Sequence, residues 1–140
     1  MHNKLRQQVS FGYTKGYGGK KVPQAANMHK LQWSYDLERK AQAWAKRCQF
    51  KHGSTGENLA MDSKNDVGRM VNAWFDEVKK YPIRYYRKLS SIKGVGHYTQ
   101  MVWGKTARIG CGMQLCKNYY VKSMRKRFDM SYLVCRYYPM

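Results

Sequence analysis

The segment "GHYTQMVW", residues 96–103, places a histidine among polar residues directly before an apolar Met-Val-Trp run. A fully buried segment would not contain the polar residues of the first half, and a surface loop would not contain the apolar residues of the second half. We therefore expect the segment to hold His97 in a fixed position, with Met101, Val102 and Trp103 anchored in the core and Gly96 allowing a close backbone turn. An imidazole held in this way suits zinc, copper or nickel ions.

A second candidate for chemistry is one of two adjacent acids within a helical pattern that covers residues 66–81. Asp76 shares its face with Lys80, which is typical of a solvated face with ion pairs one turn apart. Glu77 follows Trp74 by one turn and lies at the edge of the apolar stripe. A carboxylate at the edge of a buried face needs a polar partner, so Glu77 is expected to have a specific role.

Other elements must position these side chains. Helices are predicted over residues 2–9 and 34–48, the second with Ser34 as its N-cap and an apolar residue every three to four positions. The segments "RIGCGMQLC" (108–116) and "MSYLVCRYY" (130–138) are rich in β-branched, aromatic and alternating residues, which predicts two strands. The basic segment between them is expected to be a hairpin loop, and the glycine-rich residues 12–20 a mobile loop.

The four cysteines lack the spacing of a structural zinc site, and their even number fits two disulfides in an oxidising compartment. Four buried thiols in a cytosolic protein are the alternative. Cys111 and Cys116 are five residues apart, so on one strand they point to opposite faces and cannot easily bond each other. Cys111 can reach Cys135 on the neighbouring strand, and Cys116 can reach Cys48 on a helix.

Composition indicates a single folded domain that interacts with anions. The 140 residues suit one domain, and the 43% hydrophobic content is too high for a disordered tail. No apolar run approaches the ~20 residues that span a bilayer. The formal net charge of +19 attracts polyanions such as nucleic acid, sulfated glycans or anionic lipid. Because no signal peptide is visible, a secreted protein would be present here in a mature or trimmed form.

Several segments in order resemble the CAP superfamily of cysteine-rich secretory proteins, antigen 5 venom allergens and pathogenesis-related proteins, most of all its venom-allergen-like members. These segments are "HNKLR", "LQWSYDLERKAQAWAKRC", "FKHGSTGENLA", "AWFDEVKKY" and "GHYTQMVWGKTARIGCG". The resemblance covers nearly the whole chain, and "GENLA" with "GHYTQMVW" is highly specific.

The resemblance implies an α+β fold, a three-layer α/β/α sandwich with a small antiparallel sheet, formed by residues 1–140 as one domain. It also implies secretion and the disulfides Cys48–Cys116 and Cys111–Cys135. Its central feature is a cleft lined by two histidines and two glutamates, which carry over onto His52, Glu57, Glu77 and His97.

The chain departs from the family pattern in three places. Gly53 stands where relatives often have serine, "SSIKGV" replaces a segment with extra cysteines, and the chain stops at "YYPM". The first helix also starts abruptly at His2, so both ends look trimmed to a domain core. Ion-channel blocking by a cysteine-rich C-terminal module is not supported.

The predicted cleft suits a divalent metal ion, with zinc held weakly in an open site by His52 and His97. The carboxylates would then act through water or hydrogen bonds, and no cofactor is required. The alternative is that the four residues hydrogen-bond one another and only brace the cleft. A metal-dependent hydrolase with Glu57 or Glu77 as base is the runner-up, and binding is favoured over catalysis.

Two further ligand classes are predicted. Relatives bind sterols or fatty acids, and a tyrosine-rich loop of this chain could cover such a lipid. An ordinary basic surface loop would have the same sequence features. The candidate lipid-binding residues of this loop are Tyr81, Ile83, Tyr85, Tyr86 and Leu89. A second cluster of cations interleaved with aromatic residues could bind heparan sulfate or an anionic membrane, or be only a solvated face; it comprises Lys117, Lys122, Arg125, Lys126 and Arg127. Nucleic acid is disfavoured for a secreted protein.

Overall fold

The computed structural model describes residues 1–80, 82, 84 and 94–140. Its helices are α1 (His2–Ser10), α2 (Tyr35–Ala45), α3 (Val67–Phe75) and α4 (Gly96–Met101). Its strands are β1 (Gln32–Trp33), β2 (Glu57–Asp62), β3 (Arg108–Val121) and β4 (Lys126–Tyr138). Short 3₁₀ turns cover Tyr17–Gly19 and Asp76–Lys80.

Within the described residues, four strands form one sheet in the order β1-β3-β4-β2. The pairs β3–β4 and β2–β4 are antiparallel, whereas the two residues of β1 pair in parallel with Arg108 and Ile109 of β3. The α+β sandwich is confirmed, but the sheet is mixed rather than wholly antiparallel. The sequence did not indicate β1 because a two-residue strand carries no alternation pattern.

Each face of the sheet carries its own apolar core, which produces the three layers. On one face, α1, α3 and α4 pack against β4 through buried residues that include Val9, Trp74, Met101 and Leu133. On the other face, Ala41 and Ala45 of α2 pack against Tyr132 and Val134 of β4.

Helix α2 lies close against β3 because glycines of β3 face the helix backbone. Ser34 caps the helix, its Oγ accepting a hydrogen bond from the Leu37 amide at 3.3 Å. A Cβ on Gly112 would lie 2.4 Å from Cα of Gln42, so only glycine fits there. The Gln42 side chain also exchanges two 3.0 Å hydrogen bonds with the backbone of Met113.

Two disulfides cross-link the fold, one within the sheet and one between the sheet and the α2 layer. Cys111 and Cys135 face each other across the β3–β4 ladder, with Cα atoms 4.1 Å apart. Cys48, just after α2, is bonded to Cys116 on the opposite face of β3, with Cα atoms 5.7 Å apart. These are the two pairs that the resemblance implies.

The β3–β4 hairpin is longer than predicted, because the expected loop over residues 117–129 is mostly strand. The ladder shifts register between Cys116 and Tyr119 and then continues to Val121. Asn118 takes a positive φ of 54°, and its amide donates to the carboxylate of Asp129 at 2.9 Å. The bulge allows the polar segment to resume pairing, so only residues 122–125 form the turn.

Two helices also end earlier than their patterns predict. The α2 helix ends at Ala45 rather than at residue 48. The helix predicted to reach residue 81 ends at Phe75 and tightens into the 3₁₀ turn that carries Glu77. No helix among the described residues combines the length and apolar content needed to cross a bilayer.

Candidate functional site

The four predicted site residues line one cleft of about 840 Å³. His52 lies in the segment that leads into β2, and Glu57 is the first residue of β2. Glu77 lies in the 3₁₀ turn and His97 in α4. The structure therefore brings together two imidazole–carboxylate pairs from two separate parts of the chain.

The pair His97–Glu77 is the tighter of the two. Nδ1 of His97 lies 2.7 Å from Oε1 of Glu77, and the Tyr98 amide donates to Oε2 of Glu77 at 3.1 Å. The imidazole also stacks on the indole of Trp74, with ring centroids 5.9 Å apart and 11° between the planes. The His97 side chain is 35% exposed, so its ring is fixed yet accessible.

The pair His52–Glu57 is arranged in the same way, but a third charged residue, Arg136, also contacts the carboxylate. Nδ1 of His52 lies 3.2 Å from Oε1 of Glu57, which also accepts from the Gly53 amide at 3.0 Å. The other oxygen, Oε2, accepts from Nε of Arg136 at 2.9 Å. The Glu57 carboxylate is fully buried while the His52 side chain is 61% exposed.

Sequence reasoning did not identify Arg136. It lies on β4 directly opposite Glu57 on β2. A buried carboxylate requires a neutralising partner, and the cross-strand register supplies Arg136 as that partner. Strand register between distant segments cannot be read from the sequence alone, so the pairing left no signal.

A buried polar chain supports the cleft from behind. Asn58 donates from Nδ2 to the carbonyl of His97 at 3.1 Å and to the hydroxyl of Tyr137 at 3.2 Å. That hydroxyl lies 2.7 Å from Nε2 of His2. Burial lowers the pKa of His2 to about 4 and raises the pKa of Tyr137, so a neutral His2 accepts from a protonated tyrosine.

Arg6 of α1 is buried and fixes the end of α4. The apolar pattern of residues 2–9 predicts Leu5 and Val9 inward; Val9 is buried and Leu5 is half-buried. The Arg6 guanidinium donates to the carbonyls of His29, Met101, Trp103 and Thr106. Burial lowers its pKa to about 10, which still leaves it charged at neutral pH.

The "GHYTQMVW" segment forms helix α4, but not every residue acts as predicted. Met101 is fully buried beside Tyr98, whereas Trp103 is 40% exposed and does not anchor the core. A Cβ on Gly96 would meet nothing within 4 Å, and the positive φ of 88° belongs to Gly94. The Thr99 hydroxyl donates to the Gly96 carbonyl at 3.0 Å within the same helix.

The arrangement of the two pairs determines what the cleft can do. Ionised carboxylates only accept hydrogen bonds, so each Nδ1 carries its proton and donates it. Neither Nε2 has a hydrogen-bond partner among the described residues, and each is left as an acceptor. No group of three His, Cys, Asp or Glu side chains in the described part of the chain is placed to hold a metal ion.

The other predicted site residues lie elsewhere. Tyr81, Ile83, Tyr85, Tyr86 and Leu89, the lipid-loop candidates, lie outside the described residues, so their role stays a prediction. The basic cluster lies on the distal part of the β3–β4 hairpin. None of its residues lines the cleft.

Comparison with known proteins finds venom allergens among the relatives of this chain. Venom allergen 5 of Dolichovespula arenaria is 38% identical over 99% of this chain and 71% of the relative. Venom allergen 5 of Vespa magnifica is also 38% identical, over 99% of this chain and 63% of the relative.

Solved structures agree with this comparison. The crystal structure of NaASP2 with Zn²⁺ superposes with a TM-score of 0.78 at 32% identity, covering 99% of this chain and 75% of that one. BmVAL-1 gives a TM-score of 0.79 at 30% identity, covering 99% and 72%. The profile of the Cysteine-rich secretory protein family, CAP, matches residues 1–137. The chain is therefore a venom-allergen-like member of the cysteine-rich secretory protein family.

Proposed function

We propose that this chain is a secreted effector protein whose cleft binds a divalent transition metal ion through Nε2 of His52 and Nε2 of His97. Membership of a secretory family, two disulfides and the secreted venom allergens among its relatives support the extracellular location.

One observation carries the metal proposal: each cleft histidine is tied through Nδ1 to a buried carboxylate. Histidines that bind metals usually donate their other ring N–H to a carboxylate or carbonyl, which fixes the tautomer and raises the basicity of the ligating nitrogen. Glu77 and Glu57 occupy that position for His97 and His52. The crystal structure of the relative NaASP2 with Zn²⁺ supports zinc as the probe.

Two imidazoles are fewer than the three protein ligands of a usual catalytic zinc site. Since no third His, Cys, Asp or Glu among the described residues is placed to complete a ligand set, water or a bound partner would supply the remaining positions. We therefore expect weak, exchangeable binding. Affinity should fall on acidification, because protons compete with the metal for imidazole nitrogens.

The same geometry favours binding over the hydrolase alternative. Glu57 already accepts from His52, Gly53 and Arg136, and Glu77 already accepts from His97 and the Tyr98 amide. A general base needs a free oxygen within hydrogen-bond reach of the water that it activates. Both carboxylates are instead occupied in orienting imidazoles.

Titration calorimetry with zinc chloride near pH 7.5, about one unit above the ordinary imidazole value, tests the proposal. We expect binding by the parent chain, none by the double variant His52→Ala/His97→Ala, and unchanged binding by His29→Ala, whose side chain is exposed outside the cleft. Glu77→Gln keeps the histidines and should weaken binding by roughly 10- to 100-fold.

Thermal unfolding of each variant shows whether the fold is intact. Equal zinc affinity in the folded double variant, or no zinc binding by the parent chain, would reject the metal site. The four residues would then form a hydrogen-bonded cluster that braces the cleft.

A further inference from the structure

The distal half of the β3–β4 hairpin projects beyond the rest of the sheet. Strand β2 pairs with β4 only up to Ser131, and β1 pairs with β3 only at Arg108 and Ile109. Beyond these limits, within the described part of the chain, the hairpin continues as a two-stranded ribbon. Its five residues per strand, at ~3.3 Å each, extend about 16 Å past the end of β2.

This ribbon concentrates positive charge. All five of its basic residues are exposed: Lys117, Lys122, Arg125, Lys126 and Arg127. None of them forms an ion pair with a described acidic residue. The Cys48–Cys116 disulfide also brings Lys46 and Arg47, just after α2, to the base of the same ribbon.

Apolar side chains are exposed among these cations. Met124 lies in the turn at the tip and is 61% exposed, and Tyr120 is 49% exposed. The Arg127 guanidinium lies 5.7 Å from the Tyr120 ring centre, so the charge and the aromatic ring share one face. A sulfated glycan would need the cations only, whereas a lipid interface takes both apolar groups and cations.

We propose that this hairpin docks tip first on anionic membrane surfaces. Met124 and Tyr120 enter the interfacial region, and the surrounding lysines and arginines contact the anionic headgroups. The proposal concerns a surface separate from the cleft and does not depend on metal binding there.

Vesicle co-sedimentation tests it, with phosphatidylcholine alone or with about 30% phosphatidylserine as anionic lipid. We expect the parent chain to bind only the anionic vesicles and to detach as NaCl rises from about 0.05 M to about 0.5 M. Replacing Lys117, Lys122 and Lys126 with glutamine should reduce partitioning on the order of 100-fold. Met124→Ser should reduce it roughly fivefold without changing the net charge.

A matched control replaces three other exposed lysines, Lys30, Lys64 and Lys105, with glutamine. Both triple variants remove three lysine charges and so lower the formal net charge from +19 to +16. The control should retain partitioning within about threefold, because its lysines lie outside the docking surface. Equal losses in the two triple variants would overturn the proposal in favour of diffuse charge.

Two further outcomes would also overturn it. The first outcome combines vesicle binding with retention on a heparin column. If Met124→Ser binds vesicles as the parent does, and only the hairpin triple variant loses retention on heparin, the ligand of the hairpin would be a sulfated glycan. Salt-insensitive binding of the parent chain would exclude the headgroup contacts, and this measurement needs no variant that could misfold.

Discussion

Acid should destabilise this protein through a histidine that lies outside the cleft. His2 is buried on α1, its Nε2 accepts from the Tyr137 hydroxyl, and burial lowers its pKa to about 4 from the ordinary 6.5. The unfolded chain therefore binds a proton between these two values that the folded chain excludes. Folding stability should fall as the pH drops below about 6.5 and should continue to fall to about 4.

The size of the effect follows from the shift. A difference of about 2.5 pH units corresponds to at most about 3.4 kcal/mol, and at pH 5 the loss is about 2 kcal/mol. Protonation would also place an N–H against the hydroxyl that now donates to it. Because that hydroxyl accepts from Asn58, which binds the His97 carbonyl, the disturbance would reach the back of the cleft.

His2→Gln isolates this contribution, since glutamine keeps an acceptor for the Tyr137 hydroxyl but does not titrate. Urea unfolding followed by tryptophan fluorescence between pH 7.5 and 5 gives the free energy of unfolding of both proteins. The parent's advantage over His2→Gln should shrink by about 2 kcal/mol across this range. His29→Gln, at an exposed position, is the control and should run parallel to the parent. Parallel curves for His2→Gln would refute the reasoning.

The cleft shows what the sequence could and could not reveal. Glu77 stood out because a carboxylate at the edge of an apolar helical stripe requires a partner, and the structure supplies His97. The position of His52 and Glu57 came only from the family resemblance, since local periodicity does not distinguish them from surface residues. Arg136 depends on the pairing of β2 with β4, which is a long-range property.

Buried polar residues on α1 escaped prediction for a different reason. The pattern of "HNKLRQQV" assigns Leu5 and Val9 to the interior, because sequence periodicity scores polar residues as exposed. His2 and Arg6 are nevertheless buried, because the carbonyls and hydroxyl that satisfy them come from Met101, Thr106 and Tyr137. Hydrogen-bond partners that tertiary packing brings from distant segments cannot be inferred from the sequence of one helix.

The two disulfides and the α2–β3 contact give the remaining predictions. Replacing Cys48 and Cys116 with alanine should cost about 4 kcal/mol of unfolding free energy, and replacing Cys111 and Cys135 about 3 kcal/mol, because the first bridge closes 68 residues and the second 24. Urea unfolding checks the order, and a larger loss for the shorter loop would contradict it. Gly112→Ala should cost about 2 kcal/mol or more, since its Cβ would meet the α2 backbone at 2.4 Å and must push the helix off the sheet. Gly96→Ala is the matched control, because a Cβ there meets nothing within 4 Å and the backbone φ is not positive. It should leave stability within about 0.5 kcal/mol of the parent or raise it slightly, as alanine favours the helix. Equal unfolding midpoints for the two glycine variants would show that α2 can move away from β3 without cost, and the close contact would then not be what holds that layer in place.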